Sequence, residues 1–236
     1  MLDHTTATDD AIRFMRSLGA GSADCVVTDP PYSSGGFNES QRRDGSSTSE
    51  VLPWLTGDAL GTLAMAHLLR EFALEARRVV RPGGSMHVFC DWKMAGVFAP
   101  VIESAGWRYR SLIVWDKGNP GSGQGFRPAH EFVLHFADPS TQYLAHPGNV
   151  IRCPRVPNAE REHATQKPVD LLVALLQPIC PRGGVIVDPF SGSGSIIEAA
   201  ERIGAVAWTC DADPAHRPAA ERRARGATTQ PELEGL

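Results

Sequence analysis

The sequence has no apolar run long enough to span a bilayer, no Cys-x-x-Cys pair and no surplus of basic residues. The first absence argues against a membrane-spanning helix, which needs about 20 consecutive apolar residues. The second makes zinc or a disulfide framework a poor reading of the five cysteines, Cys25, Cys90, Cys153, Cys180 and Cys210, which are scattered and odd in number. Three of them sit in apolar, strand-like runs, so reduced structural thiols in an intracellular protein are expected. The third absence bears on partners. A net charge of −4 lacks the basic footprint usual in nucleic-acid binders, so any such site must be a local patch on an acidic body. The opening residues Met1-Leu2-Asp3-His4-Thr5 carry neither a basic nor an apolar region, and a secretory leader is not expected.

What is present is a chain of 236 residues, 42% hydrophobic, long enough for one large domain or two small ones. Apolar positions 11, 14, 15 and 18 share a helical face after Asp9-Asp10, either of which suits an N-cap. Cys25-Val26-Val27 reads as a buried strand, and 57–80 as a helix broken by Arg81-Pro82-Gly83-Gly84. Strands are expected at 85–90, 109–115, 131–136, 185–187 and 205–210, and helices at 93–105, 168–180, 193–203 and 214–224. Residues 137–164 read as irregular, and 226–236 as a frayed tail. Alternating strands and helices predict an α/β fold with a mostly parallel sheet.

Two stretches carry chemistry. Thr28-Asp29-Pro30-Pro31-Tyr32 follows a strand, and its prolines end the ladder because neither has an N–H and each fixes φ. A carboxylate, backbone carbonyls and an aromatic ring are thereby held at a strand's C-terminal end, where ligands bind in open α/β sheets. Alone, the stretch equally fits a plain strand end. The second stretch, Val185 to Ser195, is a strand, a Gly-rich turn and a helix start. It lacks the Lys-Ser/Thr of a P-loop, and Ile197 stands at the third glycine position of a dinucleotide fingerprint. Asp211 lies 19 residues after Gly192, near the spacing of about 20 at which an acid grips ribose hydroxyls. Together these favour a nucleoside cofactor without a pyrophosphate over a purely structural turn.

These residues carry a family resemblance. Thr28-Asp29-Pro30-Pro31-Tyr32 resembles the catalytic motif of the amino-group DNA methyltransferases, and Asp188-Pro189-Phe190-Ser191-Gly192-Ser193-Gly194 their S-adenosylmethionine motif. His163-Ala164-Thr165-Gln166-Lys167-Pro168 is similar to their His-Pro-Thr-Gln-Lys-Pro element, and Trp115 to Pro120 and His130-Glu131-Phe132 match further family positions. Catalytic motif first and cofactor motif last is the order of the circularly permuted beta class. The departures are mild: Ala164 for proline, Ser195 for threonine and Asp211 for glutamate. The larger one is 137–163, short where relatives carry a sizeable target-recognition region.

The resemblance implies a Rossmann-like methyltransferase fold, mostly parallel with one antiparallel strand, in a single domain over 1–225. It implies transfer of a methyl group from S-adenosyl-L-methionine to the N6 amine of adenine in double-stranded DNA, by direct attack on a flipped-out base. Asp29, Pro30, Pro31 and Tyr32 would be catalytic, with Tyr32 stacked on the base. Asp188, Phe190, Ser191, Gly192 and Gly194 would form the cofactor pocket. Asp211 would hold the ribose, Asp10 the adenine amine, and Thr165 and Lys167 the amino-acid end; for Asp10 capping, and for Lys167 a solvated surface lysine, are the plain alternatives. DNA contacts are expected from Arg42 and Arg43 in a mobile loop at 33–56, and from Arg127, Arg152, Arg155 and Arg161. No Pro-Cys dipeptide of the cytosine-C5 enzymes occurs, so no covalent intermediate is expected. Neither a metal nor a membrane is expected, a homodimer is left open, and the setting is the cytoplasm of a bacterial, archaeal or phage-infected cell. N4-cytosine methylation, RNA or protein-amide methylation, and an inactive nucleic-acid binder stand as alternatives.

Overall fold

A computed structural model describes residues 2–31, 61–120, 124–157 and 166–227. In chain order the elements are β1 (Thr5–Thr8), α1 (Ala11–Ser17), β2 (Ala23–Thr28), α2 (Thr62–Val79), β3 (Val80–Cys90), α3 (Ala95–Glu103) and β4 (Arg108–Asp116). There follow β5 (His130–Ala137), β6 (Val150–Arg152), α4 (Val169–Leu176), β7 (Val185–Asp188), α5 (Ser195–Ile203), β8 (Val206–Asp211) and α6 (Arg217–Ala227). The strands form one sheet in the order β1-β8-β7-β2-β3-β5-β4-β6. Only β5 runs against its neighbours, pairing antiparallel with both β3 and β4. The expected mostly parallel sheet with one antiparallel strand is what forms.

Strand alternation divides the interior in two. Val26, Met86, Val88 and Leu134 point to one face, where α1, α2 and α3 bring Phe14, Met15, Leu69, Phe72, Phe98 and Ile102. Val27, Phe89 and Val133 point to the other, where α4, α5 and α6 bring Leu171, Leu172, Ile196, Ile197 and Ala220. Both faces are covered, which is why β2 and β7 read as unbroken apolar runs. On α2 the buried residues Met65, Leu69, Phe72, Ala73, Ala76 and Val79 recur at helical spacing, and each large one fully buried contributes about 1.5–3 kcal/mol.

Three local departures have physical reasons. Arg81-Pro82-Gly83-Gly84, expected to break the chain between helix and strand, lies inside β3. The register of β2 against β3 jumps from Ala23–Val80 to Cys25–Ser85, so the extra residues are absorbed as a bulge. Gly84 is required there, since a Cβ would fall 2.3 Å from Val80 Cγ1 and 2.5 Å from the Asp24 carbonyl oxygen. In the stretch expected to be irregular, Val150–Arg152 adds an edge strand parallel to β4. Pro168, expected in the first turn of a helix, instead stands at the N-cap of α4 in extended conformation.

The topology gathers acids on one edge. Because β1, β8, β7, β2, β3 and β4 share a direction and β5 opposes them, the C-terminal ends of the first six lie beside the start of β5. Asp10, Asp211, Asp188, Asp29 and Asp91 therefore follow or end successive strands, with Glu131 and Lys117 further along.

Candidate active site

Asp29 follows the last residue of β2 and enters the rigid Pro30-Pro31 pair. Its Oδ2 accepts a hydrogen bond of 2.6 Å from Lys167 Nζ, just ahead of α4. The same ammonium lies 3.3 Å from Glu131 Oε2 and 5.0 Å from the centre of the Phe89 ring. Glu131 also receives Lys117 Nζ on its Oε1, and that ammonium sits 4.7 Å from the Trp115 ring. An alternating chain Asp29–Lys167–Glu131–Lys117 thus crosses from β2 to β4. Burial works against the Lys167 charge, but Asp29 and Glu131 outweigh it and hold its pKa above the ordinary value. Burial also opposes the Glu131 charge, and Lys167 and Lys117 overcome it, so its pKa is lowered. For Lys117 burial prevails over Glu131, and its pKa falls.

Beside Asp29, on the neighbouring strand β7, Asp188 is buried. Its Oδ1 accepts from the Thr28 hydroxyl at 2.7 Å and from the Phe190 N–H at 3.1 Å. Burial pushes its carboxyl up to about 7, against the pull of these two donors. Asp188 thereby staples the end of β2 to the glycine turn that follows β7. In that turn Gly192 and Gly194 have φ of 51° and 80°, and Gly194 is the N-cap of α5 with no side-chain cap on the helix. Ser191 is anchored by its N–H and hydroxyl to the Cys210 carbonyl, at 2.9 and 3.1 Å. Phe190 packs edge-on against Phe72 at 5.9 Å, tying the turn to the core.

Asp211 ends β8 and faces the same turn. Its Oδ2 accepts the Gly192 N–H at 2.8 Å, and its Oδ1 the Asp213 N–H at 2.9 Å and His216 Nδ1 at 3.0 Å. Burial opposes its charge, but the His216 hydrogen bond and the two backbone N–H groups lower its pKa. His216 is correspondingly raised, first by that hydrogen bond. Asp10 caps α1 by accepting the Arg13 N–H at 3.0 Å, while Asp9 accepts the Asp10 N–H and pairs with Arg13 at 2.9 Å. The Asp9 N–H meets the Asp211 carbonyl at 3.3 Å, which brings these acids beside β8.

Asp29, Pro30, Pro31, Lys167, Asp188, Phe190, Ser191, Gly192, Gly194, Asp211 and Asp10 accordingly lie on one edge of the sheet. Lys167, read from sequence as a partner of the cofactor's amino-acid end, here holds Asp29. Arg127 and Arg155 are exposed, and Arg152 is exposed with its Nε 3.6 Å from Asp116. Tyr32, Arg42, Arg43, Arg161, Thr165 and the loop at 33–56 lie outside the described residues. Sequence reasoning assigned no role to Glu131, Lys117 or His216; the first two stood only as family matches, and His216 is visible only once Asp211 is placed five residues before it. Among the described residues no group of His, Cys, Asp and Glu is placed to hold a metal, and no helix is long and apolar enough to cross a membrane.

The residues present suit a nucleoside-bearing methyl donor. The uncapped start of α5 and the glycine turn open the backbone to a ligand. Of about four lone-pair positions on the Asp211 carboxylate, three are engaged among the described residues, leaving acceptor capacity for a hydroxyl.

Comparison with known proteins bears on the family and the fold. A family model described as DNA methylase, of the N6/N4 methyltransferase type, matches residues 23–154 and 145–222. The Type II methyltransferase M.HpaI of Haemophilus parainfluenzae is 26% identical over 221 residues, covering 83% of this chain and 66% of its own. The chain therefore spans about two thirds of that relative. Among solved structures, the M1.HpyAVI–SAM complex superposes with a TM-score of 0.68 at 18% identity, over 93% of this chain and 98% of that one. The cytosine-N4-specific PvuII DNA methyltransferase gives a TM-score of 0.73 at 16% identity, over 96% and 90%. The chain belongs to the N6/N4 DNA methylase family.

Proposed function

We propose that the chain transfers a methyl group from S-adenosyl-L-methionine to the N6 amine of adenine in double-stranded DNA. The observation that carries this reading is the placing of the Asp29 carboxylate and the glycine turn of 188–194 at the ends of adjacent strands, joined by the Thr28–Asp188 hydrogen bond. Asp211 would hold the ribose hydroxyls, the turn from Phe190 to Gly194 the body of the cofactor, and Asp10 the adenine amine. When bound, the cofactor supplies an electrophilic methyl on a sulfonium that leaves as a thioether.

The residues of this chain do the rest. An exocyclic amine is a poor nucleophile because its lone pair is delocalised into the ring. The Asp29 carboxylate and the Pro30 carbonyl can accept its two N–H groups and aim the lone pair at the methyl. As the N–C bond forms, the surplus proton on nitrogen passes to Asp29. Tyr32 would stack on the flipped base, a contact worth about 1–3 kcal/mol. Extrusion from the duplex costs a few kcal/mol. In this reading 1–225 is one methyltransferase domain in permuted order, 33–56 faces DNA, and 137–163 is a reduced target-recognition segment.

N4-cytosine transfer is the second reading, favoured by the likeness to the cytosine-N4-specific structure. Against it stands Asp29 at the head of the catalytic motif, where cytosine relatives more often carry serine. Incubation with methyl-labelled cofactor and DNA, followed by digestion to nucleosides, separates the two. Label in N6-methyladenine is expected; label in N4-methylcytosine moves the assignment to the second reading. Label only in RNA or protein contradicts both.

A further inference from the structure

The chain Asp29–Lys167–Glu131–Lys117 holds more than is needed to place one carboxylate. Lys167 donates to Asp29 Oδ2 at 2.6 Å, and an ammonium so close offsets the negative charge that would stabilise a cation growing on the substrate amine. The same ammonium lies 3.3 Å from Glu131 Oε2, which is buried and has no partner among the described residues besides this longer ion-pair contact. A buried acceptor with only a long contact normally costs stability. Here it faces a cation already shared with a second acid. Glu131 cannot readily turn away, since its other oxygen holds Lys117, itself only 8% exposed. The Phe89 ring lies beside the Lys167 ammonium, whose side chain is only 10% exposed, so a shift between the two carboxylates takes place largely out of water.

We infer that Glu131 is a positioning residue for the methyl transfer, the second seat to which the Lys167 ammonium shifts when Asp29 takes up the substrate amine. The shift leaves no buried ammonium bare and turns the Asp29 carboxylate, no longer paired with Lys167, wholly to the positive charge that develops on the nitrogen. No bond is made or broken in this step; one N–H of Lys167 changes acceptor. Glu131 touches neither base nor cofactor in this scheme. The inference rests on the proposed function for its catalytic meaning, but the shared lysine is a property of the protein alone.

Two measurements test it. In a thermal-melting cycle of Asp29→Asn, Glu131→Gln and the double variant, each single change leaves Lys167 one carboxylate to move to. The double change leaves the buried ammonium with none, so the loss of melting temperature should exceed the sum of the single losses. Additive losses would overturn the inference, because a Glu131 that serves only Lys117 is indifferent to Asp29. In methyl transfer, Glu131→Gln should lower kcat by about 100-fold, the cost of misplacing a reacting group by about 1 Å, with KM for cofactor and for DNA unchanged. Wild-type kcat in this variant would overturn the inference, as would a loss confined to KM. A wild-type chain that methylates no DNA removes the proposed function, and the melting cycle then decides the shared lysine by itself.

Discussion

Asp29, Asp188 and Asp211 stand at the ends of three neighbouring strands, yet their surroundings give them different work. Asp188, buried and facing other acids, has its carboxyl pushed up to about 7 and spends its oxygen on Thr28 and Phe190. Asp211 is held charged by His216 and two backbone N–H groups, and Asp29 is matched to Lys167. The His216–Asp211 pair has a pH signature. The raised pKa of His216 means that its contribution is fully present below the ordinary imidazole value, about 6.5, and is lost as pH rises through the raised value. Asp211, lowered, contributes above the ordinary carboxylate range and loses this as pH falls through its own value. His216→Ala should therefore cost more melting temperature at pH 6 than at pH 9; equal losses at both would show that the charged pair adds nothing. At this scale the sequence was readable where a residue belongs to a contiguous motif, as Asp29 and Gly192 do, or keeps a set spacing from one, as Asp211 does 19 residues after Gly192. It was opaque where partners are distant: Lys167 and Asp29 are 138 residues apart, and no local pattern joins them.

Among elements, the entry to α5 combines a left-handed glycine with close packing. Gly194 has φ of 80°, and a Cβ there would lie 3.0 Å from Ala220 Cα on α6 and 3.1 Å from Ile197 Cδ1. The left-handed conformation costs a non-glycine residue about 1–2 kcal/mol, and crowding a packed contact adds about 1–3 kcal/mol. Gly194→Ala should thus lower unfolding free energy by about 2–5 kcal/mol in denaturant titration, and weaken cofactor binding because the turn must move. Helices were legible because apolar spacing follows their pitch, as along α2. Most strands were legible as short β-branched or apolar runs. The edge strand β6 was not, because three residues between prolines carry no periodicity, and its pairing with β4 is set by tertiary contact. The start of β3 was hidden for a related reason: Pro-Gly-Gly signals a break, whereas a bulge lets the strand pass through it.

The molecule as a whole carries a net charge of −4 and gathers carboxylates on the edge where DNA would approach, so phosphate contacts must come from a few cations around that edge. Arg127 and Arg155 are exposed there, with Phe126 fully exposed next to Arg127. If each neutralises one phosphate, replacing both with alanine should reduce the slope of log K against log salt by about 2. An unchanged slope removes both from the interface. The α/β class and the strand edge that holds the site follow from the alternation of elements and two motifs. The ionic chain behind Asp29 follows only from the sheet order, which brings β2, β5 and β4 within reach of the residue before Pro168.

The role of Asp29 joins all three scales. Single-turnover methyl transfer to DNA should be compared between the unaltered chain and Asp29→Ala, with cofactor and DNA binding measured alongside. Binding should persist while transfer slows by at least about 100-fold, the range expected for loss of an acid–base group. Transfer by Asp29→Ala at the unaltered rate would contradict the placing of the chemistry at this carboxylate.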